Sequence, residues 1–577
     1  MMKSPQKNEV FLKDGDDWLH FTDPHSILVA EKLEDVAAAL TQVEEDVQTG
    51  GWHAAGFLSY EAAPAFEPAV PSRTGTGFPY LWFGLYPEPK SVKIPVSLSP
   101  LKRLDWTPTV DRDTYTSAVD KVRDYIANGR TYQVNYTMRL QSDYDANAWD
   151  LFLHLAQYQN RYAAYVNTGR YIVCSSSPEL FFRLDGTAIT CRPMKGTTRR
   201  GRTTGEDHLQ SDWLRNSEKN RAENVMIVDM IRNDLGRIAR IGTVHVPELF
   251  TIERYPTLWQ MTSTVRAQTS ASVPEIIRAL FPCASITGAP KVSTMKIIHE
   301  LETSPRNIYT GTIGHIAPGR KATFNVAIRT ALIDCETKKA EYGIGGGIVW
   351  DSTGSDEYEE ALLKARVITE PFPAFSLFET MLWTPEEGFF LKEKHEARLL
   401  DSATYFGFPI SEALIRDTLD RFAPSDWEPR RVRLILHRQG NLDIQSTTIA
   451  PEGKTLHAHL AKYPVQTSDV FLYHKTTRRD VYVQARSAFP NYDDVLLYNE
   501  RDELTEYTIG NLVVELDRQL FTPPEECGLL PGTFRTHLVE TGQVLDRIIP
   551  VGQLKDCTKI FRVNSVRKWE PVRIDFM

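Results

Sequence analysis

The sequence predicts an α+β protein of more than one domain, a large first domain followed by a smaller α/β one, and three observations carry that reading. The chain has 577 residues, more than one ordinary core organises, and length alone suggests about three or four folding units. Strand-like alternation, as in Gly129-Arg130-Thr131-Tyr132-Gln133-Val134-Asn135-Tyr136, is interspersed with helical periodicity. The texture changes at Pro371-Phe372-Pro373, after Val367-Ile368-Thr369-Glu370, which sets the domains at 1–369 and 372–577.

Taken in order, the first hundred residues mix short apolar stretches such as Gly56-Phe57-Leu58-Ser59-Tyr60-Glu61 with turns, including a loop at 71–77. From Asp111 to Asn128, Tyr115, Val119, Val122 and Ile126 recur at helical spacing and predict an amphipathic helix. It leads to the alternating run that contains Gln133. Further on, Arg192-Pro193-Met194-Lys195-Gly196-Thr197 predicts a turn after the strand-like Thr187-Ala188-Ile189-Thr190. Proline restricts the backbone on the way in and glycine frees it on the way out, so the ammonium between them is held in place.

The stretch from Ser211 to Arg240 reads as one long helix and its exit, apolar enough from Val225 to Ile231 to be buried, with Glu223 at its mouth. The strand Thr323-Phe324-Asn325-Val326-Ala327-Ile328-Arg329 and the run Tyr342-Gly343-Ile344-Gly345-Gly346-Gly347-Ile348-Val349 follow. The glycines lead into a strand and not a helix, so the run is no dinucleotide loop. A last helix carries Glu357, Glu360 and Lys364 on one face; Glu360 and Lys364 also stand at the spacing of an ordinary exposed ion pair.

Composition narrows the function. Sixty-six basic and 75 acidic residues give a formal charge of −9 without long like-charge blocks, which argues against nucleic acid as a partner. The six cysteines, Cys174, Cys191, Cys283, Cys335, Cys527 and Cys557, form no Cys-x-x-Cys pair, so neither zinc nor a disulfide framework is indicated and a reducing cytoplasm fits best. The opening residues lack the apolar core of a signal peptide, and no run approaches the ~20 apolar residues that span a bilayer.

Set in order, Ser175-Ser176-Ser177-Pro178-Glu179-Leu180-Phe181-Phe182, the Lys195 element, Thr287-Gly288-Ala289-Pro290-Lys291, Tyr309-Thr310-Gly311 and Glu357-Tyr358-Glu359-Glu360 resemble the chorismate-utilising enzymes. The likeness covers about 111–369, and a lysine before Gly-Thr resembles their aminodeoxychorismate synthase component I branch. It implies a large domain of antiparallel sheets flanked by helices. It implies further that Lys195 is a covalent nucleophile, Glu179 a general acid, and Glu223, Glu357 and Glu360 the ligands of Mg²⁺. Substrate contacts are implied for Gln133, Thr287, Tyr309, Arg329, Gly345, Gly346 and Lys364, with Tyr309 and Arg329 gripping a chorismate carboxylate, as a guanidinium does in two parallel bonds. Relatives that add water to chorismate carry a lysine base where this chain has Gln133, and glutamine cannot abstract a proton from water. Anthranilate synthases usually have a glutamate at the position of Asn220 and an alanine at that of Lys195; both departures oppose that activity.

Past the break, Phe375-Ser376-Leu377-Phe378-Glu379-Thr380-Met381, His395-Glu396-Ala397-Arg398-Leu399, His474-Lys475-Thr476-Thr477, Leu504-Thr505-Glu506-Tyr507-Thr508-Ile509-Gly510-Asn511 and Leu529-Leu530-Pro531-Gly532-Thr533 resemble the class IV pyridoxal phosphate enzymes, 4-amino-4-deoxychorismate lyase among them. By this likeness Lys475 forms the Schiff base, Glu506 faces the pyridinium nitrogen, and Arg398, Thr508 and Thr533 hold the phosphate. The implied sequence of reactions is amination of chorismate at C4, then loss of pyruvate to give 4-aminobenzoate. Nothing resembles the Gly-x-Cys-x-Gly turn of a glutamine amidotransferase, so a separate subunit, or free ammonium, supplies the nitrogen. For the second domain, transamination of D- or branched-chain amino acids and a silent docking role remain alternatives.

Overall fold

The computed structural model describes residues 4–15, 17–71, 73, 77–95, 104–157, 161–369, 375–424, 428–449 and 455–575. The first three residues, most of the loop read at 71–77, and the proline-rich break at 371–373 lie outside the described residues. The chain falls into two compact units, Met1–Arg199 with Ser211–Phe372, and Arg200–Gln210 with Pro373–Met577. The short stretch Arg200–Gln210 thus groups with the later residues, which a single cut near 370 does not foresee.

The first unit is built on two ten-stranded sheets whose described pairings are antiparallel. In one, Gln133–Asp143 lies between Gly288–Ala289 and Lys339–Ile348; in the other, Leu258–Gln268 pairs with both Met194–Arg199 and Ala188–Arg192. Apolar residues from both sheets, including Val10, Phe21, Val166 and Val173 from the first and Phe57, Trp82 and Ile313 from the second, form one shared core. The other face of the first sheet packs helices Arg112–Ala127, Ala148–Ala156 and Gly354–Thr369. That of the second packs Val36–Gly50, Glu218–Gly236 and Val273–Leu280. The result is a four-layered arrangement in which every sheet face is covered, as strands with near-continuous apolar runs require.

Local chemistry sets the element ends. Asp111 caps its helix by accepting from Thr114 N at 2.8 Å, the usual service of an aspartate at that position. The stretch expected as one helix from Ser211 to Arg240 is two, Thr204–Asn216 and Glu218–Gly236, because Ser217 leaves helical geometry and caps the second through Asn220 N. Within it Ile227, Val228 and Ile231 are buried, whereas Val225 is exposed. The strand expected from Thr323 to Arg329 runs Lys321–Val326, and Arg329 adopts φ 51° beyond its end.

The second unit holds a four-stranded antiparallel sheet and an eight-stranded mixed one. In the smaller sheet, Leu377–Thr384 pairs with Arg430–Leu436, and side chains alternate faces. Leu377, Met381, Leu434 and Leu436 pack on helices Lys392–Phe406 and Glu412–Asp420. Phe378 and Arg433 belong to the opposite set. In the larger sheet Leu504–Tyr507 pairs with both Asp494–Tyr498 and Gly510–Leu516, closing part of it into a ring. Among the described residues no helix is long and apolar enough to cross a membrane.

Candidate active sites

Lys195 stands in a strand, Met194–Arg199, and not in a free turn. The register against Leu258–Gln268 shifts between Met194 and Thr197, so the lysine occupies an irregularity, and Gly196 takes φ 98° there. Such a bulge re-aims a side chain, and glycine tolerates the left-handed angle. Two side chains pin the backbone around it, Asn224 Nδ2 donating to Lys195 O at 3.2 Å and Gln260 Nε2 to Gly196 O at 2.9 Å, and Ser263 Oγ in turn donates to Asn224 Oδ1 at 2.5 Å.

The amine points to the glycine run of strand Lys339–Ile348 in the other sheet. A Cβ built on Gly347 would lie 2.3 Å from Lys195 Nζ and 2.6 Å from Gln133 Nε2; one on Gly346 would lie 2.8 Å from Glu357 Oε2 and 3.7 Å from Lys364 Nζ. The glycines therefore serve as space for four functional side chains. Gln133 is buried, and both its amide oxygen and nitrogen lack a hydrogen-bond partner. Buried polar atoms are rarely left so, and an orphaned amide beside an amine is what a ligand-binding wall presents. Burial lowers the Lys195 pKa, opposed by the charge of Glu223 and further lowered by Lys364.

Glu179 is 2% exposed and accepts from Ser285 Oγ at 2.6 Å. Burial pushes its carboxyl up to about 7, against the hydrogen bonds of Ser285 and Met194 N and the charge of Lys195. Thr287 is buried too, but its hydroxyl donates to Cys283 O at 3.2 Å and its carbonyl accepts from Asn135 N at 2.8 Å, so it shapes the wall through its backbone. Lys364 Nζ donates to Gly345 O at 3.0 Å and pairs with Glu360 at 2.8 Å. Tyr309 and Arg329, expected on one carboxylate, have different neighbours. The Tyr309 ring lies under Arg139 at 5.1 Å, and the Arg329 guanidinium is 5.9 Å from the Tyr255 ring. Arg329 Nη1 is buried without a partner, and burial lowers its pKa. It keeps the capacity for an anion.

The expected metal ligands Glu223, Glu357 and Glu360 have the right chemistry and all act as charges on Lys195. Among the described residues no cluster of three or more His, Cys, Asp or Glu side chains is placed to hold a metal ion. The Lys364 charge holds the Glu360 carboxylate and lowers its pKa. Glu357 Oε1 accepts from Ser352 Oγ at 2.6 Å, while burial raises its pKa. Glu223 is half-buried and acts on Lys195 as a charge.

In the second unit Lys475 follows the short helix Val470–Leu472, and its loop is stitched to the strand Leu377–Thr384. Phe378 N donates to Lys475 O at 3.1 Å and Thr477 N to Ser376 O at 2.8 Å. The Lys475 amine sits 5.0 Å from the Phe378 ring centroid. Burial, with the charge of Arg398, brings it down to about 7, so it is available as a nucleophile near neutrality. Glu506 is 4% exposed and accepts from Tyr482 Oη at 2.7 Å, Leu530 N at 3.2 Å and Asn511 Nδ2 at 3.3 Å. Burial pushes it up to about 7; a buried carboxyl of this kind suits the ring nitrogen of pyridoxal phosphate.

The expected phosphate ligands are differently employed. Glu379 receives Arg398 Nε and Nη2 at 2.9 and 2.6 Å, and Arg398 Nη1 donates to Pro531 O at 3.0 Å. Arg398 therefore braces the Pro531-Gly532-Thr533 turn, and its charge, with that of His395, holds the Glu379 carboxyl at about 2 in spite of burial. Thr533 Oγ1 lies 3.1 Å from His395 Nε2, at the start of helix Thr533–Glu540. The free amides of that first turn suit an anion. The Thr508 hydroxyl is committed to Asp494. Residues the sequence did not single out are Ser285, Asn224 and Gln260 in the first site, and Phe378, Tyr482 and Asn511 in the second. Phe378 and Asn511 had a signal, standing inside the motifs around Glu379 and Glu506.

Comparison with known proteins agrees with this division. Residues 91–370 match the chorismate binding enzyme family, and residues 376–574 match amino-transferase class IV. The chloroplastic aminodeoxychorismate synthase of Arabidopsis thaliana is 39% identical over 280 residues, 47% of this chain and 30% of that protein. Aminodeoxychorismate synthase component 1 of Escherichia coli (strain K12) is 40% identical over 268 residues, 46% of this chain and 58% of that protein. The aligned part is thus less than two thirds of either relative. The structure of MenF, the menaquinone-specific isochorismate synthase of Escherichia coli, superposes with a TM-score of 0.51 at 20% identity, covering 64% of this chain and 90% of that one, a likeness of fold. The chain therefore joins two families, a chorismate binding enzyme domain over residues 91–370 and a class IV amino-transferase domain over residues 376–574.

Proposed function

We propose that the first unit replaces the 4-hydroxyl of chorismate with an amino group, and that the second releases pyruvate from the product to leave 4-aminobenzoate. The observation that carries this reading is the Lys195 amine, its basicity lowered, facing an orphaned Gln133 amide where a water-activating base would otherwise stand.

In the first step the neutral Lys195 Nζ bonds to C2 of chorismate, the ring double bond shifts, and the C4–O bond breaks. Glu179 gives its proton to the departing hydroxyl, which leaves as water. The adduct nitrogen loses a proton, which the ionised Glu179 takes. Ammonia then bonds to C4, the double bond shifts back, and the lysine leaves from C2 with a proton. Two displacements replace one difficult substitution. Arg329 holds a substrate carboxylate. Magnesium, when bound, supplies charge neutralisation at a substrate carboxylate, and Glu223, Glu357 and Glu360 are the residues that would hold it. Ammonia comes from a separate glutamine amidotransferase or from free ammonium.

At the second site Glu506 would face the ring nitrogen of pyridoxal phosphate, and the turn braced by Arg398 would hold its phosphate. The cofactor supplies an electron sink when bound. Lys475 moves the proton from C4 of the aminated ring, pyruvate departs, and the ring becomes aromatic. A reducing compartment suits the six cysteines, and the cytoplasm is the proposed location.

The test mixes the purified chain with chorismate, Mg²⁺, ammonium and pyridoxal phosphate. Equal amounts of 4-aminobenzoate and pyruvate are expected. Anthranilate or isochorismate as product would reject the first assignment, and aminated chorismate accumulating without pyruvate would reject the second.

A further inference from the structure

Two guanidiniums near Lys475 have no role in the reading above. Arg433 lies on strand Arg430–Leu436, opposite Thr380 in register, in the set of side chains that alternates away from the Leu434 and Leu436 core. Its guanidinium stands 4.1 Å from the Phe378 ring centroid, the ring that also has the Lys475 amine 5.0 Å away. Its Nε is buried and has no hydrogen-bond partner. Arg479 precedes helix Asp480–Ser487, stacks at 4.3 Å on the Tyr482 ring and donates to Thr508 O. Tyr482 in turn holds Glu506, so Arg479 adjoins the carboxylate at the other end of the site. Among the described residues neither arginine is in an ion pair, whereas Arg139, Arg200, Arg306, Arg398 and Arg562 are.

Burial and the neighbouring charges of Arg479 and Arg431 lower the Arg433 pKa. The Arg479 charge also acts on Lys475 and on Glu506. Two like charges held close without a counterion are unfavourable in the free protein, and an arriving anion relieves that cost. Guanidinium is the group suited to a carboxylate, through parallel N–H bonds. The pair provides two guanidiniums outside any ion pair near the reacting amine, which is itself only partly charged near neutral pH.

We propose that Arg433 and Arg479 form the carboxylate-recognition element of the second site, selecting amines that carry two carboxylates over those that carry one. This rests on reading the second unit as a pyridoxal phosphate enzyme that takes amines. It adds which substrates that site accepts. The aminated ring produced by the first step carries a ring carboxylate and an enolpyruvyl carboxylate, and fits; leucine or valine, with one, do not.

The test titrates the full chain, loaded with pyridoxal phosphate, with glutarate and with butyrate, following the visible absorbance of the cofactor. Glutarate is expected to bind about tenfold more tightly than butyrate, the scale of one charge-assisted hydrogen bond. Arg433→Gln and Arg479→Gln each remove most of that preference, Arg433→Lys keeps part of it, and Arg431→Gln at the exposed neighbour leaves it unchanged. Should Arg433→Gln fail to fold, the Arg433→Lys and Arg479→Gln titrations give the same answer. Equal binding of the two acids by the parent, or a preference that survives both glutamine substitutions, overturns the inference. A glutarate preference without pyruvate release from 4-amino-4-deoxychorismate would reject the lyase assignment and leave this one standing. Pyruvate release without the preference would do the reverse.

Discussion

Lys195 Nζ and Gln133 Nε2 converge on one point of the backbone, the position that a Cβ on Gly347 would occupy. Nucleophile and amide are held there by strands of two different sheets, so their relative placement is a property of how the sheets pack and not of either side chain's own loop.

That placement makes Gly347→Ala a sharp probe. The added methyl would meet the ends of two side chains, the Lys195 amine and the Gln133 amide, and no backbone atom as near, so the fold tolerates it while the amine is displaced. Misplacement by about 1 Å costs on the order of 10²-fold in rate. Amination should fall by about that factor with a melting temperature close to the parent's. An unchanged rate would show that the amine's position against the glycine run is irrelevant.

Lys195→Ala should abolish amination while chorismate still binds, since Arg329 and the glycine run are untouched. Mass spectrometry of the parent, quenched with chorismate in the absence of ammonium, should show the chain plus chorismate less water. A parent that never gains this mass, or an alanine variant that aminates at the parental rate, removes the covalent route.

The pH profile follows from two groups shifted toward each other. Lys195 must be neutral, so the rate of the first step rises with pH; Glu179 must be protonated, so the rate falls as pH passes about 7. Glu179→Gln should lose the descending limb together with about 10²- to 10⁴-fold in rate. The stability sign is opposite to that of a salt-bridged carboxylate. Because burial raises Glu179 above its ordinary 4.5, its contribution is fully present below that value and is lost as pH rises through about 7. The glutamine variant should therefore show a flatter dependence of stability on pH in that window.

How much of this was legible in the sequence depended on range. The helix at Arg112–Ala127 and its Asp111 cap were readable because cap and periodicity are local signals. The helix break at Ser217 was not read, although a serine cap is local, because apolar spacing continues across it. Lys195 was singled out for its Pro-x-Lys-Gly setting, but its strand and bulge depend on pairing with Leu258–Gln268, far along the chain. Ser285 on Glu179, and Arg433 near Lys475, are long-range contacts with no motif of their own. Arg398 shows the converse: the motif marked it correctly as notable, yet only the fold reveals that Glu379 occupies its fork.

Lys475→Ala should leave the chain folded and without the visible absorbance of a bound pyridoxal phosphate. Aminated chorismate should then accumulate and 4-aminobenzoate should not form. Retention of both absorbance and product would place the cofactor lysine elsewhere.

The last prediction concerns stability. Glu302 is 4% exposed, with Arg139 and Arg306 at 0% and 1%. Its Oε1 accepts from Arg306 Nη2 at 2.7 Å, Thr137 N at 2.9 Å and Thr137 Oγ1 at 2.8 Å, and Oε2 accepts from Arg306 Nε at 3.0 Å with Arg139 Nη2 3.7 Å away. One carboxylate thus balances two buried guanidiniums. Removing it takes away their only ion-pair partner among the described residues and leaves the buried Glu61 as the carboxyl nearest in effect, and breaking a buried pair from one side costs about 3–5 kcal/mol. Glu302→Ala should lose stability on that scale in chemical denaturation, while Glu302→Gln, which keeps an acceptor but not the charge, should lose less. Arg306 also ties this network to Ile286 O, next to Thr287, and to Asn135 O on the Gln133 strand. The alanine variant should therefore bind chorismate more weakly as well. A loss under 1 kcal/mol would mean that solvent reaches the pair and that the carboxylate does not anchor the first site.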